Sequence, residues 1–247
     1  CFDESDGNIT GTITDGLAPY TITLDQGGSQ IIVNTDGGSF DFSGLSAGNY
    51  TFSIVDASGC TTTAQNSITQ PAAIPISAIK QDISCFGLTD GILTVPYSTN
   101  YTYVLTQLAT RTPITNSVPG TDLIYTDLSS GNYRLEISGA GNNGATCTVS
   151  LIETINEPLE ITASSTLSLF NSGTGIPINI SCNGATDGSI DLNISGGTGS
   201  YTYSWTTVDG NIPIGTENNQ DLNGLVAGTY SVQVSDQNSC QKAFDFT

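Results

Sequence analysis

Six cysteines are the most reactive side chains in this sequence, and they come as three pairs: Cys1 with Cys60, Cys85 with Cys147, and Cys182 with Cys240. The intervals within the pairs are 59, 62 and 58 residues. Thiols at recurring spacing can close disulfides, bind zinc or act as nucleophiles. Zinc is unsupported, because the chain has no Cys-x-x-Cys motif and no His. The cysteines read as a disulfide framework in an oxidising compartment. Closing a loop of about 60 residues contributes on the order of 4 kcal/mol.

Carboxylates recur beside the cysteines. Asp6, Asp90 and Asp187 each follow the first Cys of a pair by five residues, and Asp56 and Asp236 precede the second Cys by four. Hard oxygen ligands in Gly-rich loops suit Ca²⁺, so these five aspartates are the candidate metal ligands. The full EF-hand pattern is absent, and the middle pair has Ser138-Gly139 where the others have their second Asp. The competing reading is an Asp-Gly turn whose carboxylate accepts local backbone N–H groups, and it is preferred. No cofactor other than this possible Ca²⁺ is implied. Paired acids can cleave glycosides, but here they recur at turns in every repeat. Serine nucleophiles have no His to activate them, and Lys80 and Lys242 have no repeat equivalents that would make isopeptide staples. No catalytic residues are assigned, and the chain is not expected to be an enzyme.

The elements that position these residues are themselves repeated. Asp6-Gly7, Asp90-Gly91 and Asp187-Gly188 are followed by tyrosine-led segments at Tyr20, Tyr101 and Tyr201. Then comes Leu-x-x-Gly-x-Tyr, as Leu45/Gly48/Tyr50, Leu128/Gly131/Tyr133 and Leu225/Gly228/Tyr230. Apolar residues alternate with a period of two, as in Tyr50, Phe52, Ile54 and in Tyr230, Val232, Val234. Turn clusters such as Gln26-Gly27-Gly28-Ser29 and Asp36-Gly37-Gly38 separate them. About seven short strands per ~80–90 residues predict an all-β fold, a tandem array of three immunoglobulin-like β-sandwich modules. Ile68-Thr69-Gln70-Pro71 and Ile155-Asn156-Glu157-Pro158 mark junctions, giving modules 1–71, 72–158 and 159–247. The first and last modules are expected to be incomplete at their outer ends. The Tyr of Gly-x-Tyr stands where a tyrosine corner would, or simply fills the core.

Composition narrows the partners. The 247 residues include 4 Lys and Arg against 23 Asp and Glu, a formal net charge of −19, with no Met. So little positive charge leaves nothing to neutralise phosphates, which argues against nucleic acid. No apolar run approaches the ~18 residues needed to cross a bilayer, so this segment is not expected to insert in a membrane. A chain without Met is expected to be a processed form or a piece of a longer protein. The sequons at Asn8, Asn49, Asn100, Asn179 and Asn193 follow from a Thr- and Asn-rich composition and argue little.

The run Cys-Asn-Gly-Ala-Thr-Asp-Gly-Ser-Ile (182–190), the segment Gly-Gly-Thr-Gly-Ser-Tyr-Thr-Tyr-Ser-Trp (196–205) and Leu-Val-Ala-Gly-Thr-Tyr-Ser-Val-Gln-Val-Ser-Asp (225–236) precede a closing Cys. This pattern resembles the SprB-type repeat of large surface adhesins in gliding Bacteroidetes. The first repeat departs from it at Phe2-Asp3-Glu4-Ser5, and the second has Val95-Pro96 in place of the Gly-Gly turn. The resemblance implies export by type IX secretion and an extracellular or cell-surface location. The expected role is a structural stalk in an adhesin or filament, with neighbouring repeats as the first partners. Two alternatives stand beside it. One is surface polysaccharide binding through the variable loops 138–146 and 168–176. The other is self-association into fibres through exposed strand edges.

The disulfide partners stay open at this point. In an immunoglobulin-like order the first Cys precedes strand B and the second follows strand F, at opposite ends roughly 20 Å apart. An extended eight-residue step, as from Cys182 to Ile190, would allow pairing within a repeat. The other solution joins Cys1 to Cys147 and Cys85 to Cys240. Pairing within each repeat is preferred, since each repeat carries its own complete pair.

Overall fold

Strands form where the period-two segments stand. A computed structural model of the chain describes residues 1–26, 29–36, 38–114, 121–141, 144–171 and 177–247. The first repeat contains β1 (Gly7–Thr12), β2 (Tyr20–Gln26), β3 (Ser29–Thr35), β4 (Ser39–Leu45), β5 (Gly48–Val55) and β6 (Thr61–Ile68). The second contains β7 (Ile79–Gln81), β8 (Gly91–Pro96), β9 (Tyr101–Gln107), β10 (Thr112–Ile114), β11 (Asp122–Leu128), β12 (Gly131–Ala140) and β13 (Thr146–Ile155). The third contains β14 (Thr162–Leu167), the short β15 (Phe170–Asn171) and β16 (Pro177–Ile178), β17 (Gly188–Ser195), β18 (Thr202–Thr207), β19 (Leu222–Leu225), β20 (Tyr230–Ser235) and β21 (Gln241–Phe246). No α-helix occurs among the described residues.

The sheets repeat one plan. In the first repeat β1 pairs with β4, and the second sheet runs β3-β2-β5-β6. The next two sheets are β11-β8-β7 and β10-β9-β12-β13, followed by β14-β17-β19 and β18-β20-β21. Lettered in chain order, this is A-B-E opposite C′-C-F-G; among the described residues the first repeat has no strand A and the third no C′. The fold is all-β and immunoglobulin-like, as the alternation predicts.

Two compact units make up the chain. The first comprises Cys1–Ile76, Ser98–Val104 and Leu135–Leu151; the second comprises Ser77–Tyr97, Leu105–Arg134 and Ile152–Thr247. The division passes through β9, β12 and β13. The first unit encloses a core of Ile9, Phe40, Phe42 and Leu45 from one sheet and Ile22, Leu24, Tyr50 and Phe52 from the other. In the second, Ile190, Leu192, Leu222 and Leu225 face Trp205, Tyr230, Val232 and Val234. Alternation makes this possible: β4 reads Phe40 and Phe42 inward with Ser39 and Asp41 outward. Each such buried apolar side chain contributes about 1.5–3 kcal/mol.

Two of the repeated landmarks meet in space. A Cβ on Gly7 would stand 2.7 Å from the Leu45 carbonyl oxygen, one on Gly91 would stand 2.8 Å from that of Leu128, and one on Gly188 would stand 3.0 Å from that of Leu225. The Asp-Gly glycine is thus the residue that lets strand B close onto the leucine of Leu-x-x-Gly-x-Tyr, and a register shift marks the spot in β1 and β17.

The tyrosine of Leu-x-x-Gly-x-Tyr plays both parts expected of it. Tyr50, Tyr133 and Tyr230 are buried, and each hydroxyl donates to a carbonyl four residues upstream: Ser46 at 2.6 Å, Ser129 at 2.7 Å and Val226 at 2.8 Å. This is a tyrosine corner tying the E–F turn to strand F. Tyr230→Phe keeps the packing and leaves the Val226 carbonyl, and the Asn211 amide that donates to the same hydroxyl at 3.2 Å, without that partner. Its expected cost is about 1 kcal/mol, read as a lowered denaturation midpoint; an unchanged midpoint would show that the ring alone matters.

Candidate functional site: the loops at the repeat junctions

The chemistry-bearing residues collect in two loop types, one carrying the first Cys of a repeat and one carrying the second. In the first type, the third residue has a left-handed backbone: Asp3 at φ 59°, Gly87 at φ 80° and Gly184 at φ 79°. Asp tolerates that conformation better than most side chains, which explains how the divergent Phe2-Asp3-Glu4-Ser5 loop keeps the turn. The amide of this residue donates to the side chain before the junction proline, Asp3 N to Gln70 Oε1 at 2.8 Å and Gly87 N to Glu157 Oε1 at 2.6 Å. Two residues before that acceptor, Ile68 and Ile155 cover Gly7 and Gly91. The Ile-x-Gln/Glu-Pro signature is therefore a clasp on the first-Cys loop of its own repeat. In the third repeat Gly188 is instead met by Ile180. Beside it lies a cavity of about 400 Å³, lined by Leu167, Ile178, Cys182, Leu225, Tyr230 and Phe246 among others.

The five candidate aspartates bind backbone. Asp90 accepts Ser84 N at 3.0 Å together with the Ser84 hydroxyl, Asp187 accepts Ser181 N at 3.2 Å, and Asp6 accepts the Cys1 amino group at 3.3 Å. In the second-Cys loops, Asp56 accepts Leu17 N at 3.1 Å and Ser58 N and Cys60 N at 2.9 Å each. Asp236 accepts Thr198 N at 2.8 Å and Asn238 N and Cys240 N at 2.9 Å each. Gly59 and Ser239 take the same left-handed step, at φ 86° and 66°. Asp236 is 6% exposed, the only buried charged side chain among the described residues. Among the described residues no three His, Cys, Asp or Glu side chains gather as a metal site.

Hydrogen bonds set the titration of these groups. The Ser58 hydroxyl, followed by the amide of Leu17, holds Asp56 at about 2, below the ordinary 3.8, with desolvation opposing and the Cys60 and Ser58 amides assisting. Desolvation pushes Asp236 up, but the donors from Thr198, Cys240 and Asn238 outweigh it and the net shift is downward. The Ser84 and Ser181 donors lower Asp90 and Asp187. A carboxylate depressed on folding binds fewer protons than its unfolded form, so its stabilisation is present above the unfolded value and is lost as pH falls. Asp56 therefore stabilises the fold above pH 3.8 and ceases to as pH approaches about 2. Asp56→Asn should lower the melting temperature at neutral pH and flatten its decline over that acid range. A parallel pair of melting curves would sink the assignment.

The bridges correct the preferred cysteine pairing. Cys1 is bonded to Cys147, with Cα atoms 5.5 Å apart, and Cys85 to Cys240, at 5.6 Å. Each bridge lies within one compact unit. The first Cys of one repeat thus meets the second Cys of the next, and the expected pairing within repeats does not occur. Strand direction is the reason. Gly7 pairs with Leu45 at the Cys1 end, while β5 carries the chain from Gly48 to Val55 before Cys60 is reached, a displacement of roughly 25 Å. The extended step that would have spanned the sandwich is absent: Ala185 N bonds Cys182 O at 3.0 Å, folding the loop locally. Cys60 and Cys182 remain free and exposed.

Around Cys85–Cys240 a further contact joins the two repeats. Asn238 Nδ2 donates to Ser84 O at 3.0 Å, and within the third repeat Gly197 N donates to Leu159 O at 2.8 Å. Within the second repeat, Asn156 donates from its backbone and its side chain to Asp82, at 2.9 and 3.0 Å, and Ile83 N reaches Asn156 O at 2.9 Å. Asp82 escaped the sequence reading because it does not recur in the other repeats, and Asn156 was visible only as part of the junction signature. Lys242, without a repeat equivalent, pairs with Glu160 at 2.8 Å, and Lys80 bonds Asp82 at 3.1 Å. Of the variable loops, residues 142, 143 and 172–176 lie outside the described residues. No helix among the described residues is long and apolar enough to cross a membrane.

No curated protein matches the chain. Similar solved structures include a tetra-tandem repeat in the extending region of a large adhesion protein (16% identity, 98% of this chain and 69% of that one, TM-score 0.25). A second is the SGBP-B protein of the Bacteroides ovatus mixed-linkage glucan utilization locus, in complex with a heptasaccharide (15%, 96% and 60%, TM-score 0.23). A third is the insect immune protein hemolin (12%, 98% and 71%, TM-score 0.25). At these TM-scores none of them carries an argument about function. The SprB repeat model matches residues 1–29 and 174–210, which hold the first-Cys loop, the Asp-Gly close approach and the following strands of the first and third repeats. These two segments are similar to the SprB repeat.

Proposed function

We propose that this chain is a spacer segment of a secreted surface adhesin or extracellular filament, made of three modules at 1–71, 72–158 and 159–247. The observation that carries the reading is the bridge from the first-Cys loop of one repeat to the second-Cys loop of the next, seen twice. A staple that always leaves its own repeat resists the separation of neighbours, which is what a load-bearing segment needs. The acidic excess of −19 keeps such a segment soluble and self-repelling. Export by type IX secretion and a place at the cell surface of a gliding bacterium accord with the repeat family and with the bridges.

The test uses the Cys60→Ser/Cys182→Ser double variant, so that free thiols do not intrude. A spacer should stay monomeric at all concentrations, resist protease only while oxidised, and pass unretarded over immobilised polysaccharides. Saturable retention that disappears on deleting 138–146 or 168–176 would replace the spacer with a glycan-binding module. Concentration-dependent fibres would replace it with an assembly subunit. Calcium enters as a further arm: a melting temperature that rises in millimolar Ca²⁺ and falls in EDTA would give the aspartate loops a metal role.

A further inference from the structure

Cys60 is the second Cys of its repeat, the position that Cys147 and Cys240 hold in bridges, and Cys182 is the first Cys of its repeat, as Cys1 and Cys85 are. Both are exposed, and both keep the loop geometry of their bonded counterparts. Asp56 N reaches Cys60 O at 3.1 Å and Asp236 N reaches Cys240 O at 3.0 Å, while each carboxylate accepts the cysteine amide at 2.9 Å. On the other side, Asp187 accepts Ser181 N just as Asp90 accepts Ser84 N. The loops are folded for a bridge they do not make.

We propose that Cys60 and Cys182 are complementary half-bridges, each selective for the opposite cysteine of another SprB-type repeat, so that Cys182 of one chain joins Cys60 of another. Like does not pair with like under this scheme, because both observed bridges join a first-Cys loop to a second-Cys loop. The matching half can come from a second copy of this chain or from a repeat in the same polypeptide. The chemistry is thiol–disulfide exchange. A Cys182 thiolate attacks oxidised glutathione and releases one glutathione thiolate; the Cys60 thiolate then attacks that mixed disulfide and releases the second. One disulfide is formed for one consumed, and the two protons go to the departing thiolates. The proposal holds whether or not the chain binds a glycan.

The test mixes Cys60→Ser protein with Cys182→Ser protein in a glutathione redox buffer and reads non-reducing gels and disulfide peptide maps. The mixture should give a heterodimer carrying a Cys182–Cys60 peptide at least ten times as abundantly as either variant alone gives a homodimer. Homodimers in equal yield, glutathione adducts alone, or a Cys60–Cys182 bridge within one wild-type chain would overturn it. Cys60→Ser protein lengthened by a second copy of residues 159–247, with the copy's own first cysteine changed to Ser, and mixed with Cys182→Ser protein, distinguishes the sources. Loss of the intermolecular product, with Cys182 bonded to the last cysteine of the added copy, identifies the same polypeptide as the source. Persistence of the intermolecular product identifies a second chain, and neither product overturns the proposal.

Discussion

Pulled from its ends, the oxidised Cys60→Ser/Cys182→Ser protein is expected to extend between Cys1 and Cys240 by only about 200 Å. The two bridges interlock, and the shortest covalent path crosses the first bridge, returns through the 62 residues between Cys147 and Cys85, and crosses the second. Reduction should lengthen the same stretch to about 800 Å in all. Pairing within repeats would leave this variant only its Cys85–Cys147 bridge, and the oxidised length would then be about 600 Å. Single-molecule extension separates the three values. The same bridges contribute to equilibrium stability, on the order of 2–4 kcal/mol each, so the oxidised protein should also unfold at higher denaturant than the reduced one.

Leu192→Ala is expected to cost the third repeat about 2–5 kcal/mol. Leu192 is fully buried on β17, in the cluster that holds Trp205, Val232 and Val234. A domain of this kind retains only about 5–15 kcal/mol of net stability, so the loss is a large share of it. Trp205 reports the event, since it is the single Trp in the chain, is buried, and donates its indole N–H to Asn219 O at 2.8 Å. The tryptophan-detected midpoint should fall with an unchanged denaturant slope, while Leu192→Met should cost under about 1.5 kcal/mol. A Leu192→Ala midpoint equal to wild type would remove Leu192 from the core.

Much of this was legible in the residues. The alternation through Phe40 and Phe42, or through Tyr230, Val232 and Val234, names the buried face directly, because side chains of a strand alternate between its two faces. The spacing of Asp-Gly and Leu-x-x-Gly-x-Tyr announced two fixed points in every repeat. Their meaning needed coordinates, since Gly91 and Leu128 are far apart in sequence and their approach is a property of the B–E pairing. The aspartates were legible as loop residues but not as partners of particular amides. Leu17 and Thr198 reach Asp56 and Asp236 from 39 and 38 residues away.

By itself the sequence determined the class of fold, the three-fold repetition, the strand faces and the poverty of catalytic groups, all of which depend on local pattern or simple composition. Only the tertiary structure decided which cysteines meet. Pairing depends on where a strand leaves its end of the sandwich, and spacing along the chain does not carry that direction. Cys1 and Cys60 are 59 residues apart in sequence and sit at opposite ends of one repeat. Cys1 and Cys147 are 146 residues apart and share a bond.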